Sequence, residues 1–120
     1  MKPLGFLAVL TAAAALATAG TAAAPPVGPL PAGPVSNIET KQGQLVAVAL
    51  PHRANGRVWR IARTFDGRVL RQVSEADVGS QVVLVFRAAG AGKTTVAFGL
   101  TRGERTKAYE SRRFVVTVRP

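Results

Sequence analysis

The strongest constraint in this chain is an alternation of apolar and less apolar residues with a period of two. Thr94, Val96, Phe98 and Leu100 fall on one side of such a pattern; Thr95, Ala97, Gly99 and Thr101 fall on the other. Phe114, Val116 and Val118 alternate with Arg113, Val115, Thr117 and Arg119. Val82, Leu84 and Phe86 alternate with Gln81, Val83, Val85 and Arg87, and Trp59 and Ile61 with Arg60 and Ala62. Successive side chains of a strand point to opposite faces, so a period of two predicts half-buried strands.

Leu45–Leu50 is apolar throughout, which predicts a central strand or one covered on both faces. Ile38–Thr40 and Val69–Val73 are shorter strand candidates, and only Ser74–Val78 is read as able to hold a helical turn. Gly and Pro breaks separate these runs at Gly43, Pro51 to Gly56, Asp66-Gly67, Gly79, Gly90 to Gly92 and Gly103. The expected fold is all-β, an immunoglobulin-like antiparallel β-sandwich of about seven strands. A small barrel is the competing architecture. Trp59, alone in mid-strand, is expected to be structural, packed between sheets with its indole N–H on a carbonyl.

Ahead of this region, Lys2 is followed by an uncharged run from Pro3 to Ile38, with an apolar stretch from Leu4 to Ala19 and small residues after it. A basic start, an apolar middle and a small-residue end predict a secretory signal peptide over residues 1–23. An uncleaved membrane anchor is the competing reading, because Leu4–Ala24 approaches the length of a span. Of Pro25–Pro34, all but Val27, Leu30 and Ala32 are Pro or Gly. Residues 24–35 are therefore expected to be a semi-rigid linker, with the folded domain at residues 36–120. The absence of Cys excludes a disulfide framework and a lipid-anchored lipobox. Export to a bacterial periplasm, or secretion, is the expected localisation.

Sixteen Lys and Arg face six Asp and Glu, and the net charge is +10. Such a balance attracts an acidic protein or an anionic envelope surface. Twelve of the cations are Arg, suited to bidentate contact with carboxylate or phosphate. Nucleic acid is not expected, since the seven aromatics fall mostly at inward positions and leave few platforms for bases.

Catalysis finds no residues to work with. His52 is the sole histidine and no Cys exists, which excludes a Cys nucleophile and argues against both a Ser–His arrangement and a zinc site. Neither cofactor nor metal is expected. Gly90-Ala91-Gly92-Lys93-Thr94 imitates the end of a phosphate loop, but Arg87 stands where the first glycine belongs and Thr94–Leu100 reads as a strand. Gly90–Gly92 is read instead as a hairpin turn.

Two segments carry a family resemblance. Leu50-Pro51-His52-Arg53-Ala54-Asn55-Gly56-Arg57-Val58-Trp59 contains Gly-x-x-Trp after Leu-Pro, and Phe86 to Val96 passes through an Ala-Gly turn. Arg102-Gly103-Glu104 and the closing Arg113–Val118 follow. Together these resemble the chagasin-like inhibitors of papain-type cysteine proteases. The resemblance implies an immunoglobulin-like sandwich, no enzymatic activity, and a monomer that occludes a papain-like protease cleft with three loops. Those loops would carry His52, Arg53, Ala54, Asn55 and Gly56; then Asp77, Val78 and Gly79; then Arg102, Gly103 and Glu104. The sequence departs from the family in lacking the two threonines before Gly56 and in placing Gly103 and Glu104 where the family has Pro and an aromatic. The alternative expectation is a periplasmic or secreted immunoglobulin-like module that binds an acidic partner without inhibiting anything.

Overall fold

The computed structural model describes residues 27–103 and 107–120. Among them are seven strands and no helix: β1 (Val35–Lys41), β2 (Leu45–Pro51), β3 (Val58–Ile61), β4 (Leu70–Val78), β5 (Gln81–Ala88), β6 (Gly92–Thr101) and β7 (Glu110–Arg119). They form a four-stranded sheet in the order β1-β7-β6-β3 and a three-stranded sheet in the order β2-β5-β4. The chain is thus an immunoglobulin-like sandwich of two separate sheets and not a barrel. Pairing is antiparallel except at one edge, where β1 runs parallel to β7 from Val35↔Arg113 to Lys41↔Arg119.

The inward set of the alternation builds the core. Val48 and Leu50 of β2 and Leu84 and Phe86 of β5 meet Val96 and Phe98 of β6 and Val116 and Val118 of β7. Phe65 meets Phe86 edge-on at 5.9 Å, and Phe98 meets Phe114 edge-on at 5.8 Å, the arrangement that aromatic quadrupoles favour. Each such side chain, once buried, contributes about 1.5–3 kcal/mol by leaving water.

Four local expectations are corrected. First, the apolar run Leu45–Leu50 is not a central or doubly covered strand. β2 is an edge strand whose Val46, Val48 and Leu50 are buried while Leu45, Ala47 and Ala49 are exposed, Leu45 by 63%. Second, Ser74–Val78 is not helical; it completes β4. Its residues pair with Val82, Val83, Leu84 and Val85 across the turn, and a register shift between Gln72 and Ser74 sets Val73 aside. These cross-strand bonds outweigh a local preference for a turn of helix.

Third, Gly90–Gly92 is no hairpin turn, because β5 and β6 lie in different sheets and the segment carries the chain from one to the other. Gly90 passes so close to the Arg68 carbonyl that a Cβ there would sit 2.5 Å from its oxygen. Fourth, the expected linker does not stand free of the domain from residue 27 onward. Val27 is buried and its N–H donates to the Ala62 carbonyl at 3.1 Å. Arg63 donates to the carbonyls of Val27 at 2.7 Å and Gly28 at 3.1 Å, the Ser111 hydroxyl donates to the Pro31 carbonyl, and the Arg113 N–H donates to the Pro34 carbonyl at 3.0 Å. Proline cannot join a sheet ladder as a donor, but its carbonyl still accepts. Leu30 of this strap, with Ala62 and Ala108, covers Gly99 on the outer face of β6, a strand buried on both faces from Val96 onward. The segment read as a signal peptide lies outside the described residues.

Candidate functional site

Three connections gather at one end of the sandwich: β2–β3, β4–β5 and β6–β7. The first begins at Pro51, whose carbonyl accepts the Trp59 indole N–H at 2.8 Å. That bond is the one expected for an indole packed against the core, here half-buried, and it fixes the base of the loop to β3. The loop turns at Asn55 (φ 66°) and Gly56 (φ 71°), and the Arg57 N–H closes back on the Ala54 carbonyl at 3.4 Å. Two successive left-handed residues make a type I′ turn, which Asn-Gly adopts at little cost. Ala54, Asn55 and Gly56 are exposed at its tip.

The β4–β5 connection is a two-residue hairpin turn, Gly79-Ser80, flanked by the Val78↔Gln81 pair. Gly79 takes φ 61°, as the first central residue of such a turn requires. Asp77 and Val78 are the last residues of β4 and are exposed. In the β6–β7 connection Arg102 and Gly103 (φ 97°) are exposed, while Glu104 lies outside the described residues. The Val58↔Thr101 pair sets Arg102 beside the β2–β3 loop.

Polar contacts tie the three connections together. The His52 N–H donates to the Ser80 carbonyl at 2.9 Å, and His52 Nε2 lies 3.2 Å from an Asp77 carboxylate oxygen. Arg53 donates through Nε and one Nη to the two oxygens of Glu110, at 2.8 and 2.9 Å. The Arg57 guanidinium lies over the Tyr109 ring, 4.4 Å from its centre, and the Arg112 guanidinium 5.9 Å from the centre of Trp59. The hydrogen bonds from Arg53 draw the Glu110 carboxyl below its ordinary pKa, helped by the positive charges of Arg53, Arg112 and Arg57 and opposed by partial desolvation. Between the sheets a cleft of 210 Å³ opens here, bounded by His52, Arg53, Arg57, Val58, Trp59, Glu75, Asp77 and Val82.

The structure therefore assembles His52 and Arg53 with Asp77 and sets Ala54–Gly56, Val78–Gly79 and Arg102–Gly103 around them. The sequence reading missed Arg57, Tyr109, Glu110 and Arg112. A signal existed for two of them. Glu110 and Arg112 share the parity of Phe114, Val116 and Val118, so they are charged residues at inward positions of β7, opposite Leu100 and Phe98. Charge on an inward position asks for a partner or a ligand. Among the described residues no group of three or more His, Cys, Asp or Glu could hold a metal ion. The arrangement presents hydrogen-bonding and cationic groups on preordered loops, which is the chemistry of binding a surface.

No family model matches the sequence. No curated protein matches it either. In three dimensions the chain is similar to the crystal structure of the cysteine protease inhibitor EhICP2 from Entamoeba histolytica, with a TM-score of 0.56. That likeness spans 74% of this chain and 99% of the inhibitor at 17% sequence identity, and what it shows is a shared sandwich fold.

Proposed function

We propose that this protein is an exported binding protein, not an enzyme, that inhibits papain-like cysteine proteases by seating the loop end of the sandwich in the active-site cleft. The observation that carries this reading is the cross-tying of the three connections, by His52 to Ser80 and Asp77 and by Arg53 to Glu110. Loops already held in place lose little conformational entropy when they dock, so more of the contact energy appears as affinity. The likeness in fold to a cysteine protease inhibitor supports the same reading, as does the Gly56-Arg57-Val58-Trp59 motif that sets the first loop on β3.

In this scheme the Asn55-Gly56 tip is the central wedge, with Gly79-Ser80 on one side and the Arg102-Gly103 loop on the other. The missing aromatic after Gly103 removes a typical hot-spot anchor, so affinity rests on the backbone of the tip and on the Arg side chains behind it. The test is titration of the purified chain against a panel of papain-like proteases. Inhibition that weakens at least tenfold when Asn55-Gly56 is replaced by Ala-Ala is the expected outcome. The absence of inhibition at micromolar concentration across the panel would remove the proposal.

A further inference from the structure

The charges behind the tip are unbalanced in a way the loop ties do not use up. Glu110 is one carboxylate within the fields of three guanidiniums, and both its oxygens are taken by Arg53. Arg57 and Arg112 are left over. Their Nε atoms are shielded from solvent and have no hydrogen-bond partner. Both guanidiniums are held against aromatic rings, Arg57 on Tyr109 and Arg112 on Trp59, so their positions are set before any ligand arrives. Two guanidiniums set beside a carboxylate that Arg53 already occupies gain most from an added ligand that accepts both charge and hydrogen bond.

We infer that Arg57 and Arg112, held on Tyr109 and Trp59 beside the Arg53–Glu110 pair, form a receptor for a carboxylate, supplied by an acidic side chain of the protein partner. The inference deepens the proposed function, and it rests on the loop end being the docking face. Its chemistry also explains why these positions carry Arg: a planar guanidinium can stack on a ring and donate in plane at the same time, which an ammonium cannot. An acidic residue at the rim of the bound cleft would enter between the β2–β3 and β6–β7 connections and accept from the outer Nη groups of the two guanidiniums, with the sealed Nε–H groups behind them.

The test needs no protease, so its outcome is separate from that of the inhibition assay. The full chain, labelled with ¹⁵N, is titrated with N-acetyl-aspartate methylamide at constant ionic strength, and the arginine Nε–H resonances are followed. Saturable shifts at Arg57 and Arg112, with no change at Arg119 on the far end of β7, are expected. Sodium chloride should produce none. Arg57→Gln and Arg112→Gln should each weaken binding at least fivefold, and Arg57→Lys and Arg112→Lys should not restore it; the Lys variants keep the charge if either Gln variant fails to fold. Equal movement of all arginines, or full rescue by Lys, would overturn the inference. So would saturation by inorganic phosphate in place of the carboxylate, or binding seen only in Glu104→Gln, which would assign the site to the chain's own carboxylate.

Discussion

The Arg53 guanidinium takes both oxygens of Glu110, and each side chain keeps about a third of its surface in solvent, 35% and 36%. Screening at such exposure limits what the pair contributes to stability, but its pH signature has a definite sign. The folded pKa of Glu110 lies below its unfolded value, the Arg53 hydrogen bonds being the largest cause. Its contribution is therefore complete above the unfolded value of about 4.3 and is lost as the pH falls through the lower folded value. Comparison with Glu110→Gln removes the acid destabilisation common to the rest of this cationic chain. The melting temperature of the wild type should fall more steeply than that of the variant between about pH 5 and pH 3. Equal slopes would show that the pair is not formed in solution.

At the scale of elements, the strap from Val27 to Pro34 behaves as an eighth piece of the sandwich without being a strand. Gly33 passes against Ser111, and a Cβ there would overlap the Ser111 carbonyl oxygen, a backbone atom that cannot rotate away. Gly33→Ala should therefore lift the strap and cost about 1–3 kcal/mol, as overpacking does. Urea denaturation measures the loss, and faster proteolysis between residues 27 and 34 locates it; an unchanged midpoint would place the strap outside the cooperative unit. The strands themselves were legible because their alternation is local: Val82-Leu84-Phe86, Thr94-Val96-Phe98-Leu100 and Phe114-Val116-Val118 each turn their inward set to the core. The strap was not legible, because its polar partners Ala62, Arg63, Ser111 and Arg113 lie about 30 to 80 residues further along the chain.

For the whole molecule, stability without disulfides depends on one small core between two sheets. Phe86 sits at its centre, 1% exposed and edge-on to Phe65. Phe86→Ala should cost about 3–5 kcal/mol through lost burial and the cavity left behind. A domain of this size has a total of only about 5–15 kcal/mol, so the variant should be near its unfolding midpoint at 37 °C. Circular dichroism melting checks this, and a shift of only a few degrees would mean that the core is looser than drawn. The same rigidity serves the loop end. Its tip residues are exposed and make few contacts of their own, so their presentation depends on Trp59 and on the strands beneath.

The sequence by itself determined the strand parity, the all-β class, the chain breaks at Pro51 to Gly56 and at Gly79, and the structural role of Trp59. All of these follow from periods of two and from φ preferences within a few residues. Only the tertiary structure decided that β2 is an edge, that Gly90 leads between sheets, that β1 runs parallel to β7, and that Arg53 closes on Glu110 across 57 positions of chain. Sheet order and charge pairing are contacts between distant segments, and an alternation pattern is silent about which neighbour each face will meet. Apolar Leu45–Leu50 reads the same whether its outer face is covered or bare. Inward-pointing Arg112 reads as a flaw in the pattern until the rings and carboxylate around it are in place.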